Sequence, residues 1–283
     1  MKLFPVFEVA IPDSFTSNYK NLLQRSLAVG FLARAFAIFQ VEDVYIYRED
    51  PERPNMDISR QIKAILEYLE APQYLKKVLF KKRRVLRYVG MLPPLKAPHH
   101  KSWKPLNEIR SGELREGVVL RSDKDRSFVY VGLDTDIEVV GRYPIGKRLT
   151  VRITKVRDRR VYGEVVKRQE LKVFWGYRVK ELKGGLEDLL RKKMDCLKIL
   201  TSRKGKPISS ELNKLRKSIK ETKRVLIVFG GPYKGIFEIL GYKNAHLLGD
   251  FILNTIPFQA TETVRTEEAV YITLGILNLI RVL

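Results

Sequence analysis

Cysteine and histidine are scarce in this sequence: one cysteine, Cys196, and three histidines, His99, His100 and His246. A lone thiol cannot close an internal disulfide, and a Cys/His zinc cluster lacks ligands, so no metal is expected. The expected setting is reducing and intracellular, in the cytoplasm. Long apolar runs are also missing. The longest, 269–280, is interrupted by Thr273 and Asn278 and falls short of the roughly 18 residues that would suggest a membrane span. Residues 1–10 carry a single Lys and break their apolar run with Pro5 and Glu8, unlike a signal peptide. A soluble chain without a membrane partner is the expectation. Glycine (18) and proline (13) are too few among 283 residues for a low-complexity or collagen-like chain. Acidic residues are the last shortage, 32 against 54 Lys and Arg, for a net charge of +22.

That excess points to a polyanionic partner. It is spread along the chain: 15 basic against 10 acidic residues in 1–90, 18 against 11 in 91–171, and 21 against 11 in 172–283. Such a field speeds encounter with nucleic acid and adds affinity by releasing counterions, without reading sequence. A surface charged only for solubility or heat tolerance would not explain why one sign dominates.

With 45% hydrophobic residues the chain can bury a core, and its length suits one large or two ordinary domains of about 100–200 residues. Residues 3–11 read as a strand and 18–36 as a helix with apolar residues at three-and-four spacing. A second strand follows at 36–47 and a helix at 58–70, the alternation of a layered α/β domain. From about residue 92 the pattern changes to a proline-rich loop and then five short strands, at 114–122, 127–131, 137–140, 148–156 and 160–166. Short strands with Gly, Asp and Lys turns suggest a small barrel of the oligonucleotide-binding kind, with a plain antiparallel sheet as the alternative. After Trp175 the α/β pattern resumes: a helix at 185–191, a strand at 195–200, a helix at 210–221, strands at 225–229 and 246–254, and a closing helix at 266–279. The organisation expected is one α/β domain in two parts, 1–92 and 172–283, with a barrel inserted at 93–171.

Two stretches could carry chemistry. VLIVFGG (225–231) ends a strand on a glycine pair, which lets a ligand approach the backbone where open sheets bind ligands, although a tight turn accounts for it equally well. It does not match the nucleotide-triphosphate loop GxxxxGK[ST]. LNTIPFQATETVRTEEAV (253–270) runs from a strand through a long loop into a helix that Thr266 could cap, with Glu267 and Glu268 in its first turn. A further stretch, Lys76, Lys77, Lys81, Lys82, Arg83, Arg84 and Arg87 interleaved with Tyr74, Phe80 and Tyr88, suits phosphate contact and base stacking, or is a solvated helix face. His99 and His100 could contact RNA or a cofactor cleft, or pack a loop. Cys196, on an apolar strand, is expected to be buried and inert.

Nine segments together carry a resemblance: ARAFAIF (33–39), YLEAPQYLKKVLF (68–80), APHH (97–100), LREGVV (114–119), FWGY (174–177), TSRKG (201–205), VFGG (228–231), LNTIP (253–257) and TVRTEEAV (263–270). Over most of its length the chain resembles the SPOUT superfamily of α/β-knot methyltransferases, in the branch of RNA methyltransferases with an inserted OB-like barrel. The departure is FQATE at 258–262, where a glycine-containing segment is expected. The resemblance implies a trefoil knot at the carboxyl end and S-adenosyl-L-methionine held mostly by backbone groups of three loops. By position these are Phe229, Gly230, Gly231 and Pro232; Leu248, Gly249 and Asp250; and Asn254, Thr255, Ile256, Pro257, Gln259, Thr263, Val264 and Arg265 leading into Thr266. It also implies a homodimer and an RNA substrate, with ribosomal RNA favoured. The acceptor expected is uridine ring N3, because a ring N–H between two carbonyls is more acidic than a ribose hydroxyl, the alternative acceptor that related SPOUT enzymes with an arginine also methylate.

With so few histidines, a cation that stabilises a partly deprotonated acceptor is more economical than a dedicated base. The resemblance points to Arg34, and Arg265 opens the last helix. A salt-bridged surface arginine and a loop brace are their plain alternatives. For the whole chain, the reading from another class is a non-catalytic RNA-binding or ribosome-assembly factor that keeps the fold.

Overall fold

The computed structural model describes residues 4–283, so Leu3, the first residue of the expected opening strand, lies outside the described residues. In chain order the elements are β1 (Val6–Pro12), α1 (Leu22–Ile38), β2 (Val41–Arg48), α2 (Met56–Glu70) and α3 (Gln73–Leu79). Five strands follow: β3 (Leu114–Ser122), β4 (Arg126–Tyr130), β5 (Ile137–Val140), β6 (Arg148–Arg157) and β7 (Arg160–Val165). Then come β8 (Arg178–Gly185), α4 (Leu186–Lys192), β9 (Leu197–Pro207), α5 (Leu212–Glu221) and β10 (Arg224–Val228). The chain closes with α6 (Ile236–Leu240), α7 (Tyr242–Leu248), β11 (Phe251–Asn254) and α8 (Thr266–Val282). Two compact units result: residues 4–69 with 84–94 and 177–283, and residues 70–83 with 95–176.

The first unit is built on a six-stranded sheet in the order β11-β9-β10-β1-β2-β8, every neighbouring pair parallel. Parallel sheets are covered on both faces, so their central strands must be apolar throughout. Accordingly β1 is buried along nearly its whole length. Its one acidic residue, Glu8, is wholly buried but ion-paired to Arg224 and Lys193. Asp43 on β2 is paired with Arg178 at 2.8 Å; burial of either carboxylate alone would be costly. Helix α1 begins later than its apolar pattern suggests, because the Asn21 side chain accepts the Gln24 N–H (2.9 Å) and caps it. It also runs through residues 36–38, expected in the second strand, and ends where Gln40 takes a left-handed φ of 56°.

The strand expected at 246–254 is a second correction. Residues 246–248 finish α7, and Gly249 closes that helix through its N–H to Ala245 O (3.0 Å). Only 251–254 are strand. A short apolar run such as His-Leu-Leu fits either period. Strand β9 continues beyond its expected end. Residues Ile199 and Leu200 pair with Phe251 and Ile252, but the next residue of β11, Leu253, pairs with Lys206. Residues 201–205 are thus extra residues of β9 between the two stretches that pair with β11. A side chain at Gly205 would lie 2.8 Å from the backbone of Ile252 and Leu253, so only glycine allows this approach.

The second unit is a closed five-stranded barrel, β3-β4-β5-β7-β6, with β5 and β7 parallel and the other pairs antiparallel. Val119, Val129, Ile137, Val151, Ile153 and Val161 fill its interior. Beside them lies a buried ionic cluster. Arg148 donates to Glu70 (2.6 Å), Arg148 and Arg168 reach Glu116 at 3.1 and 3.0 Å, and Trp175 Nε1–H donates to Glu116 (2.9 Å). His99 and His100 both approach the Glu70 carbonyl, at 2.8 and 2.9 Å. They pack a loop within the barrel unit and do not line the cavity described below.

This cluster sets an acid limit. Burial, with help from His99, lowers His100 to about 4 from 6.5. Burial would raise Glu70, but the guanidinium of Arg148, with His99 and Arg168, reverses this and holds it at about 2 against 4.5. Both groups bind protons more readily in the unfolded chain. The His100 contribution to stability is therefore lost as pH falls from about 6.5 toward 4, and that of Glu70 from about 4.5 toward 2. Thermal melts across this range are expected to show two successive falls of Tm, with His100→Gln flattening the first.

Candidate functional site

A cavity of about 390 Å³ opens at the carboxyl ends of β1, β10 and β11 and along residues 201–204 of β9, the location at which parallel sheets present ligands to loop backbone. Of the residues expected to hold a cofactor, it brings together Phe229, Gly230, Gly231, Pro232, Asn254, Thr255, Ile256, Gln259, Thr263, Val264, Arg265 and Thr266. Pro257, Leu248, Gly249 and Asp250 are not on its wall. Leu248 packs into the core beneath the sheet, Gly249 ends α7, and the Asp250 carboxylate accepts the Lys198 N–H at 2.7 Å.

Short polar ties fix the loops. Thr201 Oγ1 donates to Val228 O (2.9 Å), and Asn254 Nδ2 to Arg203 O (3.2 Å). Arg203 Nη1 donates to Glu262 O at 2.6 Å. The Gln259 amide donates to Thr261 O (2.9 Å) and Glu262 O (3.3 Å), so Gln259 braces its own turn. A Cβ on Gly231 would lie 1.9 Å from Glu49 Oε1 and 2.8 Å from Ser14 Oγ. Both of those oxygens are buried without a hydrogen-bond partner, and burial raises the Glu49 carboxyl above its ordinary range.

Several wall residues were not assigned to the site from the sequence, although 201–204 and Glu267 lie in segments that carry the resemblance. Phe15 and Asn18 reach the cavity from the loop after β1, residues 201–204 from β9, Tyr233 from the loop after β10, and Glu267 from α8. Glu267 is buried, and its carboxylate accepts the hydroxyl of Tyr19, 248 positions away in sequence. Burial and this bond push Tyr19 up to about 12, so the phenol stays protonated as a donor. The Arg265 guanidinium lies 5.7 Å from the Tyr19 ring centroid, and the Arg265 backbone N–H donates to Glu268 at 3.0 Å. Arg265 is thus on the cavity wall, supported by Tyr19, which Glu267 holds in place.

Arg34 is not on this wall. Its Nη1 donates to Pro94 O at 3.0 Å, and its charge acts on Tyr271 of α8. Of the basic stretch, Lys76, Lys77, Lys81, Lys82 and Arg83 belong to the barrel unit, while Arg84 and Arg87 belong to the sheet unit. All but the half-buried Lys76 are exposed. Tyr74 is used for packing, since its hydroxyl donates to Glu116 O (2.7 Å) and its ring meets Tyr130 edge-on. Cys196 is buried, and burial, then Glu8, raises its thiol to about 11. Among the described residues no group of three His, Cys, Asp or Glu could hold a metal ion, and no helix is long and apolar enough to cross a membrane.

An all-parallel sheet with a glycine-bearing loop at a cavity beyond its carboxyl edge, interrupted in sequence by a closed barrel, is the α/β methyltransferase fold of SPOUT type with a β-barrel insertion. The chain belongs to the family described as "Putative RNA methyltransferase", which it matches over residues 6–277. It is an RNA methyltransferase enzyme, and membership of the family implies S-adenosylmethionine as methyl donor. Among similar proteins, a 28S rRNA (uridine-N(3))-methyltransferase of Homo sapiens is 30% identical, covering 95% of this chain and 77% of the human protein. The Mus musculus enzyme of the same name is also 30% identical, over 95% and 75%. An uncharacterized protein of Halobacterium salinarum is 31% identical over 96% of this chain and 98% of its own length.

Proposed function

We propose that the protein transfers a methyl group from S-adenosylmethionine to ring N3 of a uridine in ribosomal RNA, with the 390 Å³ cavity as the cofactor site. The observation that carries this reading is the convergence of the Phe229–Pro232 and Asn254–Thr266 loops, expected from the sequence, on one cavity that also holds Arg265 and Glu267. The names of the human and mouse relatives support the acceptor. The residues present fit the cofactor. Gly230 and Gly231 lie on the wall, the wall mixes apolar and polar groups, and Glu267, which also accepts from Tyr19, places a carboxylate there for a cationic ligand.

When bound, the cofactor supplies a sulfonium methyl that a nucleophile displaces in line. The chain has to orient the uracil and stabilise the charge that forms as the N3 proton leaves. A ring N–H between two carbonyls is more acidic than a ribose hydroxyl, and its anion spreads onto oxygens that a guanidinium can hold. Arg265 is positioned for this by the Tyr19 ring. The Glu267 carboxylate keeps Tyr19 in place.

The same reading includes a knot in which β11 passes through the loop formed by residues 201–205, supported by the register jump between β9 and β11. It includes a homodimer joined through α1 and α8, whose exposed Leu27, Phe31, Ile38, Ile272 and Leu279 form an apolar surface. Arg34 shares helix α1 with part of that surface, so we propose that it acts at the partner's cavity. The barrel, with Lys77, Lys81, Lys82 and Arg83, is proposed to grip RNA phosphates.

Calorimetry tests the cofactor assignment. S-adenosylmethionine or its demethylated product is expected to bind the wild type. Gly231→Val should weaken binding by at least about tenfold, because the new side chain meets the buried Glu49 carboxylate and Ser14 hydroxyl, which must shift beside a residue of the cavity wall. Folded protein that binds neither compound at millimolar concentration would remove the proposal.

A further inference from the structure

Phe258 combines two features that a folded chain ordinarily avoids. Its backbone has φ 61°, in the left-handed region that favours glycine. Its side chain is wholly exposed, at 103%, so no packing within this chain offsets the strain. The position is not a frayed end. On one side the Ile256 N–H donates to Asn254 Oδ1 (3.0 Å), and on the other the Gln259 amide and Arg203 tie down the carbonyls of residues 261 and 262. The loop therefore holds a strained phenyl ring out into solvent beside the cavity, whose wall includes Ile256 and Gln259. Strain kept in this way at a site is a pointer to function.

A second exposed ring lies on the cavity wall itself. Tyr233, in the loop after β10, lines the cavity and is 72% exposed. Its neighbour Lys234 is exposed with Asp50 at 3.8 Å, and Lys204, also on the wall, is exposed and ion-paired with Glu238 at 2.6 Å. Exposed rings among cations are the means by which proteins hold unpaired nucleotides, since every base has a face to stack and every nucleotide a phosphate.

We infer that Phe258 and Tyr233 are stacking platforms for unpaired bases of the RNA substrate at the mouth of the cavity. They hold the strand so that one nucleotide can enter. This rests on the cavity being the methyl-transfer site. It adds a determinant for RNA that belongs to this chain's own loop, since Phe258 stands within the segment where a glycine-containing stretch was expected.

The test uses the full-length protein and a fluorescently labelled, single-stranded uridine-rich RNA, with affinity read by anisotropy. Phe258→Ala and Tyr233→Ala should each bind about 5- to 100-fold more weakly, as expected for the loss of one base–aromatic stack. Phe258→Trp should bind at least as tightly as the wild type. Phe258→Gly separates site from scaffold: it should lose as much RNA affinity as Phe258→Ala while melting no lower than the wild type, because glycine relieves the left-handed strain. Calorimetry should show unchanged cofactor affinity in the Phe258 variants, and failure of the wild type to bind cofactor would count separately against the proposed function. Unchanged RNA affinity in both Phe258→Ala and Phe258→Gly would overturn the inference. So would sedimentation showing that Phe258→Ala converts a dimer to monomers, which would make the ring a contact between copies.

Discussion

Replacing Arg265 with alanine is expected to lower the rate of methyl transfer by about 100- to 1000-fold, the usual effect of losing one well-placed charge-stabilising donor. Cofactor affinity should change by only a few fold. The split follows from structure. The backbone of residue 265 is held independently of its guanidinium, through the N–H donated to Glu268 at 3.0 Å, so the loop keeps its path when the side chain is removed. An interaction made only as charge develops lowers kcat and kcat/KM together and leaves ground-state binding alone. Tyr19→Phe provides the companion measurement. It keeps the ring under Arg265 but removes the hydroxyl that Glu267 accepts, so it should fall between the wild type and Arg265→Ala. Equal rates for Arg265→Ala and wild type would reduce Arg265 to a loop brace.

Gly205→Val is expected to cost about 3 kcal/mol or more of stability, at the upper end for overpacking a tight site. A Cβ there lies 2.8 Å from backbone atoms of residues 252 and 253, and backbone in a paired strand cannot turn aside as a flexible side chain would. The loss should appear as a lower midpoint in urea together with weaker cofactor binding, because residues 201–204 form part of the cavity wall. Gly205→Ala should show the same effects to a smaller degree. A Gly205→Val protein as stable as the wild type would mean that β9 and β11 do not approach as closely as described.

The barrel was the most legible part of the sequence. Its strands alternate apolar and polar residues between turn signals, and each was located within one residue of its observed bounds. The loops at 229–232, with its glycine pair, and at 254–266, which has no glycine, were picked out through motif resemblance. What escaped depends on contacts distant in sequence. Phe15, Asn18 and Tyr19 reach the site because β1 pairs with β10 across more than 200 positions, which no local pattern announces. Glu267 read as a charge suited to a helix start, and its burial against Tyr19 emerges only when α8 packs beside the loop after β1. Leu248 to Asp250 were assigned to the site by position from the resemblance, and they lie off the cavity wall, where the end of α7 leads into β11. β8 was missed because its charged, half-exposed sequence at the sheet edge lacks the apolar run of an inner strand.

The most direct measurement is mass spectrometry of nucleosides from ribosomal RNA incubated with S-adenosylmethionine, with and without the protein. The account predicts 3-methyluridine that appears only with active protein, in step with the demethylated cofactor, and is lost in Arg265→Ala. A 2′-O-methylated nucleoside in its place would contradict the base-nitrogen assignment, and no methylated nucleoside from protein that binds both cofactor and RNA would contradict methyl transfer to this RNA.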